Sequence, residues 1–360
     1  MTTLDERIRA TVRQDVASMH AYAIQDSRGL LKLDAMENPY RLPPALAKEL
    51  GEHLAGVAIN RYPDPAAAGL HGALRRSMGV PEGLEMVLGN GSDEILQMMA
   101  VALAKPGATM LALEPSFVMY RMSAIAAGMG YAGVSLGADF SLDLPATLAA
   151  VERIRPALTW IAYPNNPTGN LFPRLAILEI VKASPGLVAV DEAYYAFSGG
   201  ATLLDEVGAH PNLVLVRTVS KLGLAGLRVG MAIGPRDWMG EFDKVRLPYN
   251  VNVLSAAAAQ FVLAHHDVLE EQTHAIVRDR ARLEAGLDRV AGVRRFPSAA
   301  NFVLARVPDA PRAFEGLRSR GILVKNLHGA HPLLEHCLRF TVGTPDENQR
   351  LLEALPPAIG

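Results

Sequence analysis

The sequence predicts an α/β protein: a large domain built on a seven-stranded, mostly parallel sheet, joined to a smaller α+β domain. Two patterns carry this expectation. Short apolar runs recur at residues 86–88, 110–113, 132–136, 158–162, 187–190, 213–216 and 229–233, with helix-like stretches between most of them. Continuous apolar strands alternating with helices read as a sheet covered on both faces. After Pro248 the pattern changes to long helices followed by short strands.

In chain order, residues 1–15 are charged and helical in pattern, and residues 30–33 form a short apolar run able to join the smaller domain. Helices are expected over 93–104, 117–128, 145–153 and 175–183 between the strands of the large sheet. Residues 255–265 and the amphipathic stretch 268–290 read as helices. Strands are expected at 293–296, 302–307, 322–325 and 338–342, with a helix over 311–320 among them. The large domain is accordingly placed at 44–270, and the small one at 1–43 with 271–360.

Composition narrows the function. The 360 residues are 50% hydrophobic and 20% charged, with a formal net charge of −2. No basic run supports nucleic-acid or membrane-surface binding. The single cysteine, Cys337, cannot form an internal disulfide and reads as a reduced thiol in the cytoplasm. The N-terminal stretch lacks a basic segment followed by an apolar core, so no signal peptide is expected. No apolar run reaches membrane-spanning length, and 95–104 and 256–264 read as buried helix segments. Among the ten histidines, His265, His266, His328, His331 and His336 come nearest to a cluster. None shows ligand spacing on one helix face, and no metal is expected.

The chemistry concentrates at strand ends, where such sheets bind ligands. Lys221 lies in Ser220-Lys221-Leu222-Gly223, after an apolar strand, with Arg228 seven residues on. A lysine among hydroxyls and glycines, near an arginine, meets the requirement for a reactive amine beside an anion. Gly89-Asn90-Gly91-Ser92-Asp93-Glu94 opens a helix. Its first-turn amides would favour an anion, although a plain capped helix with two acids in its first turn reads equally from the residues. Asn165-Asn166-Pro167-Thr168-Gly169 is a turn that would set an amide over the same crevice. Asp191-Glu192-Ala193-Tyr194 puts a carboxylate at the end of a buried strand, where it needs a partner, structural or catalytic.

Together with Arg61-Tyr62-Pro63 and the Gly91-Ser92 turn, these motifs resemble the fold-type I pyridoxal-phosphate aminotransferases, and within them the histidinol-phosphate aminotransferase family. The resemblance runs from residues 33–39 to Leu338-Arg339-Phe340-Thr341-Val342-Gly343-Thr344. It implies that Lys221 forms the Schiff base with pyridoxal 5′-phosphate and later moves protons, and that Asp191 holds the pyridine nitrogen protonated. It implies that Asn166 and Tyr194 bind the 3-oxygen of the ring and that Phe117 stacks on it. Gly91, Ser92, Asp93, Ser220 and Arg228 would form the phosphate cup. Tyr62 would reach the phosphate of a neighbouring subunit, making the active site a property of a homodimer.

For substrate, the resemblance gives Arg339 the anion of both a phosphorylated amino alcohol, L-histidinol phosphate, and the acceptor 2-oxoglutarate, in two half-reactions. Lys325 stands where the family often has a second phosphate-binding arginine; lysine keeps the charge without the planar fork. Tyr22 and Asn38 complete the set of expected substrate residues, with Glu37 beside Asn38. Two rivals share the fold: an aromatic or broad-specificity amino-acid aminotransferase, and a phosphothreonine decarboxylase. A transcription regulator on the same fold would need a DNA-binding domain ahead of it, and none is expected within the first fifty or so residues.

Overall fold

The computed structural model describes residues 3–21 and 24–360. Its strands are β1 (Leu31–Leu33), β2 (Glu85–Asn90), β3 (Thr109–Glu114), β4 (Gly130–Ser135), β5 (Leu158–Ala162), β6 (Leu187–Asp191), β7 (Leu213–Thr218), β8 (Val229–Gly234), β9 (Arg294–Arg295), β10 (Phe302–Arg306), β11 (Ile322–Asn326) and β12 (Cys337–Thr341). Seven of them form one sheet in the order β2-β8-β7-β6-β5-β3-β4. Only β8 runs against its neighbours; the other pairings are parallel. This is the large sheet expected from the apolar runs.

The strands are apolar throughout because both faces are covered. Side chains alternate between two cores. Val188, Val190, Leu213 and Leu215 enter one, and Leu187, Ala189, Val214 and Val216 the other. The helices Ser92–Leu103, Met119–Ala127, Leu144–Ile154 and Arg174–Ala183 follow the expected stretches to within a residue or two at most ends.

The smaller sheet has the order β1-β11-β12-β10-β9. Its N-terminal strand, β1, pairs parallel with β11, while the remaining pairings are antiparallel. Its core joins Leu33 to Ile276 and Leu283 of the helix His266–Leu287 and to Leu351 and Leu355. Those leucines lie on a helix over Pro345–Ile359 that the apolar-run reading does not assign. Its signal is a capping box: Thr344 and Glu347 satisfy each other's backbone amides at the helix start. Among the described residues, no helix is long and apolar enough to cross a membrane.

Candidate active site

Strand ends of the large sheet deliver the side chains. Ser92 follows β2, Phe117 follows β3, Asn166 follows β5, Asp191 is the last residue of β6, and Lys221 follows β7. All five line one narrow cleft, with Tyr194, Thr218, Ser220 and Arg228. Parallel strands bring their carboxyl ends to one edge, so motifs distant in sequence converge.

Lys221 is half-buried, and its Nζ donates to the carbonyl oxygen of Ala35 at 3.3 Å. Burial, and then the Arg339 guanidinium, bring its amine down to about 8. Asp191 is buried, and its Oδ2 accepts the Tyr120 hydroxyl at 2.8 Å while Oδ1 accepts the Ala193 amide at 3.0 Å. Burial pushes its carboxyl up to about 6, against the lowering effect of Tyr120. The neighbouring Glu192 points to the other side and pairs with the buried Arg217 at 2.7 Å. The doublet thus divides into a structural ion pair and a carboxylate that faces the cleft.

Asn166 links two of the expected groups. Its Nδ2 donates to Tyr194 Oη at 3.3 Å, and its Oδ1 accepts from the Arg339 guanidinium. Arg339 also donates to the carbonyl oxygen of Asp34 at 3.0 Å. Phe117 meets Tyr120 edge-on at 5.7 Å between ring centroids.

Ser92, Asp93 and Arg228 meet in the same cleft at a helix start. Gly91 precedes the helix Ser92–Leu103 without a side chain to cap it, which leaves first-turn amides facing the cleft. The packing is tight enough that a Cβ on Gly91 would come within 2.5 Å of Arg228, and one on Gly230 within 2.4 Å of the Ser92 nitrogen. Of the two acids in the first turn, Glu94 turns back to Asn250 at 2.7 Å. Asp93 pairs with Arg228 at 3.0 Å, so an arriving phosphate would compete with it for the guanidinium.

Beside the cleft lies a cavity of about 640 Å³, sharing Met36, Phe117 and Asn166 with it. Lys325 and Arg339 line it, and they are direct partners in the β11–β12 register, so the two cations stand side by side on one face. Arg121, Glu114 and Tyr131 form a hydrogen-bonded wall opposite, with Glu114 Oε1 accepting from Arg121 at 2.8 Å and from Tyr131 at 3.0 Å.

Two expected residues lie elsewhere. Asn38 lines neither space: its amide donates to the Leu222 carbonyl at 3.1 Å and Gln272 at 2.9 Å, and its Oδ1 accepts from the Tyr40 amide at 2.8 Å. These bonds tie the N-terminal segment to the Lys221 turn. Tyr62 is 81% exposed, stacked on Tyr249 at 4.7 Å, and does not line the cleft of its own chain. Tyr22 lies outside the described residues. Conversely, sequence reasoning missed Tyr120, which lies three residues after Phe117 in the first turn of the helix Met119–Ala127, and the Glu114–Arg121–Tyr131 wall, which has no local signature.

Comparison with known proteins agrees with this architecture. The sequence pattern of the aminotransferase class I and II family matches residues 28–355. A histidinol-phosphate aminotransferase of Chromobacterium violaceum is 52% identical over 97% of this chain and 98% of its own. One from Methylibium petroleiphilum is 52% identical over 98% and 95%. The crystal structure of the Sinorhizobium meliloti histidinol-phosphate aminotransferase in complex with pyridoxal 5′-phosphate is 26% identical and superposes with a TM-score of 0.86, covering 97% of this chain and 98% of that one. The chain belongs to the class I and II aminotransferases and, within them, to the histidinol-phosphate aminotransferase family.

Proposed function

We propose that the protein is a pyridoxal-phosphate-dependent aminotransferase moving an amino group between L-histidinol phosphate and 2-oxoglutarate. The observation that carries the reading is the pairing of Lys325 with Arg339 across β11 and β12, at the mouth of the cleft that holds Lys221 and Asp191. Two adjacent cations suit a doubly charged phosphate ester, and Arg339 alone suits the carboxylate of the second substrate.

The cleft fits the cofactor: an uncapped helix start with Arg228 for the phosphate, a buried carboxylate for the ring nitrogen, and a lysine with a lowered pKa. When bound, the cofactor supplies a cationic ring that takes up the charge left by a departing α-proton. Lys221 is its covalent anchor. Lys221 Nζ, with its amine brought down to about 8, would be the base that takes and returns that proton. Asp191 gains a cationic partner and keeps the ring nitrogen protonated. Asn166 and Tyr194 would bind the ring oxygen, and Phe117 would cover a ring face.

The chain works as a homodimer in the cytoplasm, with Tyr62 reaching the phosphate cup of the partner. The exposed stack of Tyr62 on Tyr249 supports this, since aromatic surface of that kind is typical of interfaces. A buried free cysteine supports a reducing compartment. Residues 44–270 act as the cofactor domain, and 1–43 with 271–360 as the small domain that carries Lys325 and Arg339.

Purified protein loaded with cofactor, given L-histidinol phosphate and 2-oxoglutarate, should form glutamate. Phenylalanine should be a poorer donor, and threonine phosphate should release no carbon dioxide. Absence of glutamate with histidinol phosphate, or a faster reaction with either rival, overturns the assignment.

A further inference from the structure

We propose that His328, Glu335 and His336 form a binding site for one divalent transition-metal ion of the zinc type, on the loop that walls the substrate cavity. By sequence these residues share no helix face. Folding overrides that: the loop between β11 and β12 doubles back, and one ligand atom from each residue lies within 4.8 Å of the others. His328 Nδ1 stands 3.0 Å from Glu335 Oε2. Two atoms bound to one zinc ion at its usual bond lengths of about 2.0–2.2 Å are roughly 3.0–3.5 Å apart, so this pair is already at coordinating separation. The rings of His328 and His336 follow, with centroids 4.8 Å apart.

Hydrogen bonding alone serves this cluster badly. His328 Nδ1 has two claimants, the Glu335 carboxylate and the His336 amide at 3.1 Å. If it accepts from the amide, the carboxylate faces a lone pair; if it donates to the carboxylate, the amide faces an N–H; an ion on Nδ1 would take the single lone pair and join the carboxylate to it, and the amide would give up this acceptor. His336 Nδ1 is buried and has no hydrogen-bond partner among the described residues. A buried nitrogen in that condition is destabilising unless another partner takes its lone pair. Arg306 does not take over the carboxylate, because it donates instead to the carbonyl oxygens of Glu335 at 3.1 Å and Leu333 at 2.8 Å. Two imidazoles and a carboxylate are a borderline donor set suited to zinc, cobalt or nickel, with water completing the shell.

The position gives the site a consequence. The same loop lines the cavity through Leu327, Ala330, His331 and Leu334, and its flanking strands carry Lys325 and Arg339. An ion joining His328 to Glu335 and His336 would staple the two ends of the loop and hold that wall in place. The proposal rests on the loop and not on the identity of the substrate.

The test uses untagged, cofactor-loaded protein, dialysed against chelator and then titrated with zinc by calorimetry and with cobalt by visible absorption. One ion should bind per chain, and bound cobalt should show the d–d bands of a low-coordinate nitrogen and oxygen site. Glu335→Gln and His336→Asn should each weaken binding about tenfold or more, and the double variant should lose the cobalt bands. Asparagine tolerates the positive φ of 57° at position 336, and Glu335 is exposed, so both variants should fold. Zinc should raise the thermal midpoint of the native protein and not of the double variant. A His53→Gln control should bind as the native protein does. Equal binding by native protein and double variant, or no one-to-one binding at all, overturns the proposal.

Discussion

Tyr120 donates its hydroxyl to Asp191 Oδ2 at 2.8 Å, from a ring stacked on Trp160 with only 3° between planes. The contact ties the charge state of a buried carboxylate at a strand end to a side chain on the helix Met119–Ala127. Without a cofactor, Asp191 titrates near 6 instead of 3.8, so between those values the folded chain holds more protons than the unfolded one. Stability from this group is therefore present at low pH and falls as pH rises through about 6, by up to about 3 kcal/mol. Urea unfolding of cofactor-free protein from pH 4 to 7 should show that loss, and Asp191→Asn should remove it. A native protein whose Asp191-dependent stability rises over this range contradicts the assignment.

Tyr120→Phe removes the one side-chain hydrogen bond that lowers the carboxyl, so the Asp191 transition should move to higher pH. In the loaded enzyme, a weaker Asp191 should reduce kcat/KM by roughly 10-fold. Comparing the pH profile of unfolding with that of turnover separates this from simple loss of packing, which would leave the transition where it is.

Lys221→Ala should abolish the yellow colour of the bound cofactor and lower turnover by roughly 10³-fold or more. In the native protein, the rate at which cofactor-free chains take up pyridoxal phosphate should rise with pH and be half-maximal near 8, because only the neutral amine attacks. A borohydride-reducible imine in the variant would locate the anchor elsewhere.

Arg339→Met should raise KM for both substrates, by about 2–3 kcal/mol each in apparent binding, since both anions use the same guanidinium. Lys325→Met should raise KM for histidinol phosphate about 10-fold and change that for 2-oxoglutarate only a few-fold. Steady-state kinetics with each substrate varied at saturating partner decides between a shared site and two separate ones.

Tyr62→Ala should weaken cofactor affinity about 10-fold. If sites are built across two subunits, unfolding and refolding a mixture of Lys221→Ala and Tyr62→Ala chains should restore one intact site per mixed dimer, read as activity at cofactor concentrations that leave Tyr62→Ala largely unloaded. Activity no greater than that of the separate variants would make each chain self-sufficient.

Much of this protein is written locally. The seven apolar runs of the large sheet are legible because strands buried on both faces need uninterrupted apolar residues, and each chemical motif sits directly after one of them. Ser92, Asn166, Asp191 and Lys221 could thus be placed at strand ends from the sequence by itself, together with the order in which the chain presents them. The helix Pro345–Ile359 was also locally signalled, by the Thr344–Glu347 capping box.

What required the tertiary structure is every relationship between distant side chains. The pairing of Lys325 with Arg339 depends on strand register, since a one-residue slip would send the two to opposite faces. The bond from Tyr120 to Asp191 depends on how a helix packs on a sheet, and the bond from Asn38 to Gln272 joins residues more than two hundred positions apart. His328 and His336 look unrelated by spacing and meet because a loop turns back. Periodicity and turn chemistry act within a few residues, whereas register, packing and loop closure bring together atoms far apart in the chain, so the cleft's parts could be read and its geometry could not.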